Sequence, residues 1–375
     1  MTVRPTQDKI DKLARVSDEL LSNESNSIRE VAGLVGMMIA YSPAAQYGGA
    51  HIKDLEMDKI DALKQSRGNF DASMIISDLG RHNILWWKEH FPLASREVAM
   101  VPPDITLYTD ASEQGWGAFC VQSSGFTSLA GTRWTFVEAQ DHINVLELQA
   151  VYFGLQSLTP FSDTHIAVLS DNTTAVAYLR NMGGVRSRRC NDVAKDIWQW
   201  CEERNIWLTP SFIPGILNVN ADYASRNFTD DVNWELNPKL FAKICDKWST
   251  PEVDMFASRI NTKLEKFVSW MPEPEAWKVD AFSFSWTFTN NLLYFFPPFS
   301  LSGRVIREVL SQKCCAVVVL PDWPTQPWST MALNSATSFL KFRKGNKNLL
   351  PHGEPNNPLQ FGSTPLVACL FSTTY

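Results

Sequence analysis

Asp110, Glu147, Asp171 and Asp222 are the residues whose types and surroundings suggest chemistry. Asp110 closes the run LYTDAS, Glu147 stands in the first turn of INVLELQA, Asp171 ends VLSDNTTA, and Asp222 lies in NVNADYASR. Each has apolar or small neighbours and no lysine or arginine directly beside it in sequence. A carboxylate among buried strands loses hydration and repels its like unless cations neutralise it. Four converging acids therefore point to hard divalent ions with oxygen ligands, Mg²⁺ or Mn²⁺. Taken singly, each has a plainer explanation. An aspartate at a strand end forms turns, and Asp171-Asn172-Thr173 can simply cap the next helix.

The elements that must position these acids follow from hydrophobic periodicity. Three short strands are predicted in ITLYTD, GWGAFCVQ and FTSLAGTRWTF, separated by the turn compositions Glu113-Gln114-Gly115 and Ser123-Ser124-Gly125, as in an antiparallel meander. A helix is predicted from Asn144 to Leu158, with Val145, Leu148, Val151, Tyr152 and Leu155 on one face. A buried strand (His165 to Ser170), a helix (Thr173 to Asn181), a glycine pair, a long helix (Cys190 to Arg204) and a strand (Ile206 to Ile213) complete the series. The order βββαβααβ implies an α/β fold, a mixed five-stranded sheet covered by helices.

At 375 residues the chain exceeds one ordinary hydrophobic core, so two or three domains are expected. Residues 1–100 read as a helical packing module. Ser27-Ile28-Arg29-Glu30 has capping-box spacing, Ile28, Val31, Leu34, Val35, Met38 and Ile39 follow at helical intervals, and Pro43 ends that helix. Further helices are predicted at Leu55–Gln65 and Ser73–His90. After Arg226 the sequence turns dense in Trp, Phe and Pro, and LYFFPPFS, RVIREVLSQK and CCAVVVLPDWP read as strand, helix and strand of an α/β unit. The apolar fraction of 45% and charged fraction of 20% exclude wholesale disorder. No apolar run approaches the ~20 residues of a membrane span. The charged N-terminus lacks an apolar signal core, so an intracellular, non-secreted protein is expected. Seven cysteines without a CxxC pair fit a reducing compartment and give no zinc or disulfide frame.

YTDAS with GWGA, then NVLEL, SDNTTAV and PG-x-x-N-x-x-AD-x-x-SR resemble the ribonuclease H domain of retroelement reverse transcriptases. HINVLELQAV, DNTTAVAYLRNMGG, IWQWC and IPGILNVNADYASR are similar to phrases of the DIRS-type retrotransposons, over residues 101–228. More loosely, SIREVAGLVGMMIAYSPAAQYG resembles the thumb or connection segment that follows their polymerase palm. The resemblance implies hydrolysis of the RNA strand of an RNA–DNA hybrid with two Mg²⁺ or Mn²⁺ ions. Carried over, Asp110 bridges both ions, Glu147 and Asp171 hold the one near the leaving group, and Asp222 holds the one that activates water. Asn144 and Ser112 fall at positions that contact the hybrid, Asn144 in the minor groove where the 2′-hydroxyl is read. The family often has a histidine ten residues before its last aspartate, and Phe212 stands there, so slower turnover is implied.

Residues 101–228 carry eight Lys/Arg against thirteen Asp/Glu, four of which are the proposed ligands. Arg186-Ser187-Arg188-Arg189 is their basic cluster, read either as a phosphate handrail through Arg186 and Arg188 or as a solvated helix start. Phe228-Thr229-Asp230-Asp231 has the letters of a polymerase turn but no preceding apolar strand and no palm upstream, so polymerase activity is not expected. A palm would have to come from another chain or a larger polyprotein. VDMFASR, DAFSFSW, LYFFPPFS and VVVLPDWPTQPW resemble, in order, phage-type DNA adenine methyltransferases, which places a smaller α/β domain at 229–375. Their Asp/Asn-Pro-Pro-Tyr/Phe loop reads Phe296-Pro297-Pro298-Phe299 here, which keeps the stacking ring and loses the hydrogen-bond acceptor. The same loop also reads as a buried aromatic turn. The rival to the nuclease is a non-catalytic nucleic-acid- or protein-binding remnant on the same scaffold.

Overall fold

A computed structural model of the chain describes residues 2–97, 101–159, 162–228, 234–343, 348–351 and 364–372. The Phe228-Thr229-Asp230-Asp231 motif lies outside the described residues from Thr229 onward. Among the described residues no helix is long and apolar enough to cross a membrane.

Four helices come first: α1 (Gln7–Ser22), α2 (Ile28–Tyr41), α3 (Lys53–Gln65) and α4 (Asp78–His90). The capping box that opens α2 is formed. The Ser27 hydroxyl accepts from the Glu30 amide at 3.2 Å, and the Glu30 carboxylate accepts from the Ser27 amide at 2.8 Å. Helix α4 starts later than the sequence predicts, because Ser73–Met74 pairs instead with Asn26–Ser27 and Ser77 provides the cap. Helix α1 escapes the periodicity because charged residues dominate it and only Leu13, Ser17 and Leu20 are buried.

The centre is a five-stranded sheet of β1 (Ile105–Ala111), β2 (Gly115–Gln122), β3 (Thr127–Arg133), β4 (His165–Ser170) and β5 (Trp207–Phe212). The strand order is β3-β2-β1-β4-β5. β1 pairs antiparallel with β2 and β2 with β3, whereas β4 lies parallel to β1 and β5 parallel to β4. This is the mixed five-stranded sheet that the order of predicted elements implies. Helices α5 (Ile143–Leu158), α6 (Thr173–Arg180) and α7 (Arg188–Glu202) follow the predicted order within two residues.

One element was not anticipated. Residues Val219–Arg226, to which the sequence pattern assigns no element beyond the last strand, form helix α8. It lies directly on the sheet where a side chain is missing. A Cβ on Gly117 would stand 2.2 Å from the Ala221 carbonyl and 2.4 Å from the Ser225 amide, and one on Gly131 2.7 Å from the Ala224 carbonyl.

The last part holds α9 (Pro238–Trp248) and a second sheet of β6 (Val253–Asp254), β7 (Lys266–Ser269), β8 (Lys278–Val279), β9 (Leu293–Phe295), β10 (Ala316–Pro321), β11 (Ser338–Phe342) and β12 (Leu366–Phe371). Its order is β8-β7-β6-β9-β10-β12-β11, parallel except for β12, which runs antiparallel to both its neighbours. Helix α10 (Ser302–Gln312) links β9 to β10, and α11 (Pro327–Ser335) precedes β11. Each face of this sheet has its own apolar core.

Charged groups join the parts. Lys195 on α7 pairs with Asp54 at 2.6 Å, and His51 and the Trp86 indole share the Glu202 carboxylate at 2.8 and 3.0 Å. Arg259 grips Glu138 through two bonds of 2.7 and 2.9 Å while lying over the Phe153 ring.

Gly117→Ala should destabilise the chain by about 3 kcal/mol, the upper end for overpacking, because backbone of α8 must retreat. Gly33→Ala, in α2 with nothing within 4 Å of the new methyl, should stabilise by up to about 1 kcal/mol. Denaturant melts of the two variants check the contrast, and equal effects would show that α8 is not seated on Gly117.

Candidate metal centre

Three of the four acids meet at the ends of β1 and β4. Asp110 is the sixth residue of β1 and is 4% exposed, beneath α8. Glu147 rides on α5, where every residue from Val145 to Val151 is buried, so the helix carries its carboxylate inward whatever the cost to hydration. Asp171 follows the last residue of β4 and is partly exposed. Each brings a carboxylate oxygen within 4.8 Å of the other two. Gly215 lets the loop after β5 close over them, since a Cβ there would stand 2.7 Å from Asp171 Oδ2.

Electrostatics shows the strain of this grouping. Burial first, then the charges of Asp171 and Asp222, raise Asp110 to about 6 against the opposing Ser225 hydroxyl. Burial, then Asp110 and Asp171, push Glu147 to about 9. Glu147 Oε2 is buried without a hydrogen-bond partner. A buried orphan oxygen among like charges, in an all-oxygen donor set, fits a hard divalent cation.

Asp222 stands outside that close group. It lies in α8, half-exposed, and its Oδ1 accepts from Arg226 Nε at 2.6 Å. Two further residues, Ser225 in α8 and Asn218 at its N-cap, present in the sequence pattern without an assigned role, tie this helix to β1. Ser225 Oγ donates to Asp110 Oδ2 at 2.5 Å, and the buried Asn218 amide donates to the Thr109 carbonyl at 2.9 Å. The spacing of Asn218, Asp222, Ser225 and Arg226 is the i, i+3, i+4 signal of one helix face, hidden because the segment is too short and polar to show hydrophobic periodicity.

The other candidate contacts are placed as follows. Asn144 is in the first turn of α5, and its Oδ1 accepts from Asn172 at 3.0 Å, which leaves its own amide hydrogens to donate. Ser112 is buried, with its hydroxyl donating to the Ser225 carbonyl at 2.6 Å, so it locks the β1–β2 turn to α8. Arg186 is exposed just before α7. Arg188 is ion-paired with Asp61 and Arg189 with Asp141, which neutralises two members of the basic cluster. Phe212 is half-exposed at the end of β5, in register with Ser170 beside Asp171.

Neither a protein-family model nor a curated protein matches the chain. About a third of it is similar to solved ribonuclease H structures. LC11-RNase H1 from compost, solved with an RNA/DNA hybrid, is 23% identical over 32% of this chain and 92% of its own, with a TM-score of 0.27. RNase H1 of Halobacterium salinarum is 15% identical over 32% and 92%, with a TM-score of 0.24. The N-terminal RNase H domain of rv2228c from Mycobacterium tuberculosis is 14% identical over 33% and 91%, also at 0.24.

Carboxyl groups raised to about 6 and about 9 bind protons in the folded chain that the unfolded chain has already released. Stability therefore falls as pH rises from about 4 through these values. The Asp110 shift alone corresponds to about 3 kcal/mol between the two limits. Thermal melts in chelator should show stability declining from pH 5 to 9. Glu147→Gln should flatten that decline, and Mg²⁺ at pH 8 should stabilise wild type more than the variant. A decline of the same slope in both proteins would dissociate it from the acidic group.

Proposed function

We propose that the chain is a retroelement-derived ribonuclease H-like nuclease that hydrolyses the RNA strand of RNA–DNA hybrids, without polymerase activity. The observation that carries this reading is the convergence of Asp110, Glu147 and Asp171 at one end of the β3-β2-β1-β4-β5 sheet. Its ligands would be Asp110, Glu147, Asp171 and Asp222, holding two Mg²⁺ or Mn²⁺ ions. Ions bound there would supply activation of a water and stabilisation of the departing oxygen of an in-line displacement.

The remaining work falls to the chain's own groups. Ser225 fixes one oxygen of Asp110, so the other is left for coordination. Asn172 holds the Asn144 amide so that its hydrogens are available to a 2′-hydroxyl in the minor groove. Phe212 supplies no proton acceptor where a histidine would assist release, which makes turnover slow. Cations engaged by Asp61 and Asp141 give little phosphate affinity, so binding is weak and salt-sensitive unless a polymerase palm on another chain or a full-length polyprotein holds the hybrid. In this reading residues 1–100 are the connection-like module, 101–228 the nuclease and 229–375 a degenerate methyltransferase-like domain.

Support for the last assignment is the second sheet, in which an antiparallel strand (β12) is inserted beside parallel β10. A cavity of about 540 Å³ opens at the carboxyl ends of β6 and β7, where parallel α/β sheets bind ligands, and α8 forms part of its far wall. Phe296 and Phe299 meet edge to face at 6.4 Å just beyond β9. Phenylalanine at the first position of that loop cannot accept a hydrogen bond from an adenine amino group, so the fold is retained without the reaction. Purified chain incubated with DNA and labelled S-adenosylmethionine should transfer no methyl group to adenine, and label in the DNA would overturn this.

The nuclease reading is tested directly. With Mg²⁺ or Mn²⁺ at low salt, the chain should cut the RNA strand of a labelled hybrid slowly. Asp110→Asn should lower the rate at least ~100-fold, the scale of removing one electrostatic group from a transition state, while leaving the fold intact or more stable. Phe212→His should leave the rate unchanged or raise it. Equal cutting by wild type and Asp110→Asn, or none by either in Mn²⁺, would instead favour a non-catalytic binding remnant.

A further inference from the structure

Arg226 is the cation that lowers both raised acids of the site, and Asp222, Asp110 and Asp171 all act on it in return. It ends α8, one turn beyond Asp222, and its Nε donates to Asp222 Oδ1 at 2.6 Å. Both side chains are about half-exposed, at 57% and 47%, so neither is locked by packing. Asp222 is also the one candidate ligand that does not join the close group of Asp110, Glu147 and Asp171. Arg226 holds this carboxylate through Oδ1, and a guanidinium and a metal cannot share that oxygen in the same direction.

We propose that Arg226 is a positioning residue that competes with a divalent ion for Asp222. Without the ion it keeps Asp222 out of the acidic group. When the ion takes the carboxylate, the guanidinium is released at the C-terminal end of α8, where the last carbonyls of a helix favour a cation. Arg226 thus sets how much metal is needed to complete the fourth ligand. It also limits the repulsion that three clustered carboxylates would otherwise exert on an unloaded site. The proposal deepens the metal-dependent reading above and rests on it.

The test is Mn²⁺ binding, measured by calorimetry and by the paramagnetic resonance of the free ion, on full-length wild type, Arg226→Gln, Arg226→Lys, Asp222→Asn and the double variant Arg226→Gln/Asp222→Asn. Arg226→Gln should bind Mn²⁺ about two- to fivefold more tightly, the scale of a partly exposed ion pair. Arg226→Lys, which keeps the charge and loses the fixed geometry of the pair, should fall between it and wild type. In the Asp222→Asn background the gain should vanish, because nothing remains for Arg226 to hold. An unchanged or weaker affinity in Arg226→Gln overturns the proposal. So does a gain that persists undiminished beside Asp222→Asn, since that would show only a general field effect. If wild type binds Mn²⁺ and these couplings fail, the metal centre survives and the role of Arg226 does not. Absence of Mn²⁺ binding by any of the five proteins removes both.

Discussion

The close approach of α8 to the sheet is the contact on which the site depends. A helix normally rides on a layer of side chains, yet here the Ala221 and Ser225 backbone meets β2 at Gly117 with no room for a methyl group. That approach brings Ser225 within hydrogen-bonding distance of Asp110 and Asn218 within reach of the Thr109 carbonyl. It also makes the burial of Asp110, because α8 is the lid over that end of β1. Moving the helix outward would rehydrate Asp110, release its hydroxyl partner and carry Asp222 away together. One missing Cβ therefore controls position, burial and charge at once.

Burial then sets a conflict. Three carboxylates gathered within 4.8 Å oppose folding, and the sequence places few cations to relieve them. Three cations near the sheet join parts of the chain instead: Lys195 to Asp54, Arg188 to Asp61, Arg259 to Glu138. Arg226 is aimed at the acids themselves. A site arranged in this way is held together by the scaffold and destabilised by its own charge, which is the expected state of a centre built to receive a cation.

Most of the central fold was legible in the sequence. The strands announce themselves by β-branched alternation bounded by Ser-Gly and Glu-Gln-Gly turns, and α5 and α7 by apolar spacing that survives their polar residues. The acids Asp110, Glu147 and Asp171 could be placed because each sits at the end or start of such an element. Helix α8 could not, since its eight residues bury only Ala221, Ala224 and Ser225. Small residues packed against glycine leave no hydrophobic signal. Nor could the ion pairs of Arg188 and Arg189 be foreseen, because Asp61 and Asp141 are far away along the chain and close only in space. Ile39, assigned to the apolar face of α2, is 52% exposed, since the buried stripe of that helix ends at Met38.

These limits share one physical cause. Sequence reports what a segment prefers when it must bury its own apolar face, and it reports little about contacts made by backbone on backbone or by charge across the fold. The centre is built largely from contacts of that second kind: a glycine under a helix, a serine on an aspartate, an arginine on another. The acids can be recognised one by one because burying a carboxylate is unusual. Their readiness to bind a cation is a property of the assembly, and it is fixed by α8, an element whose sequence says little beyond being small enough to fit.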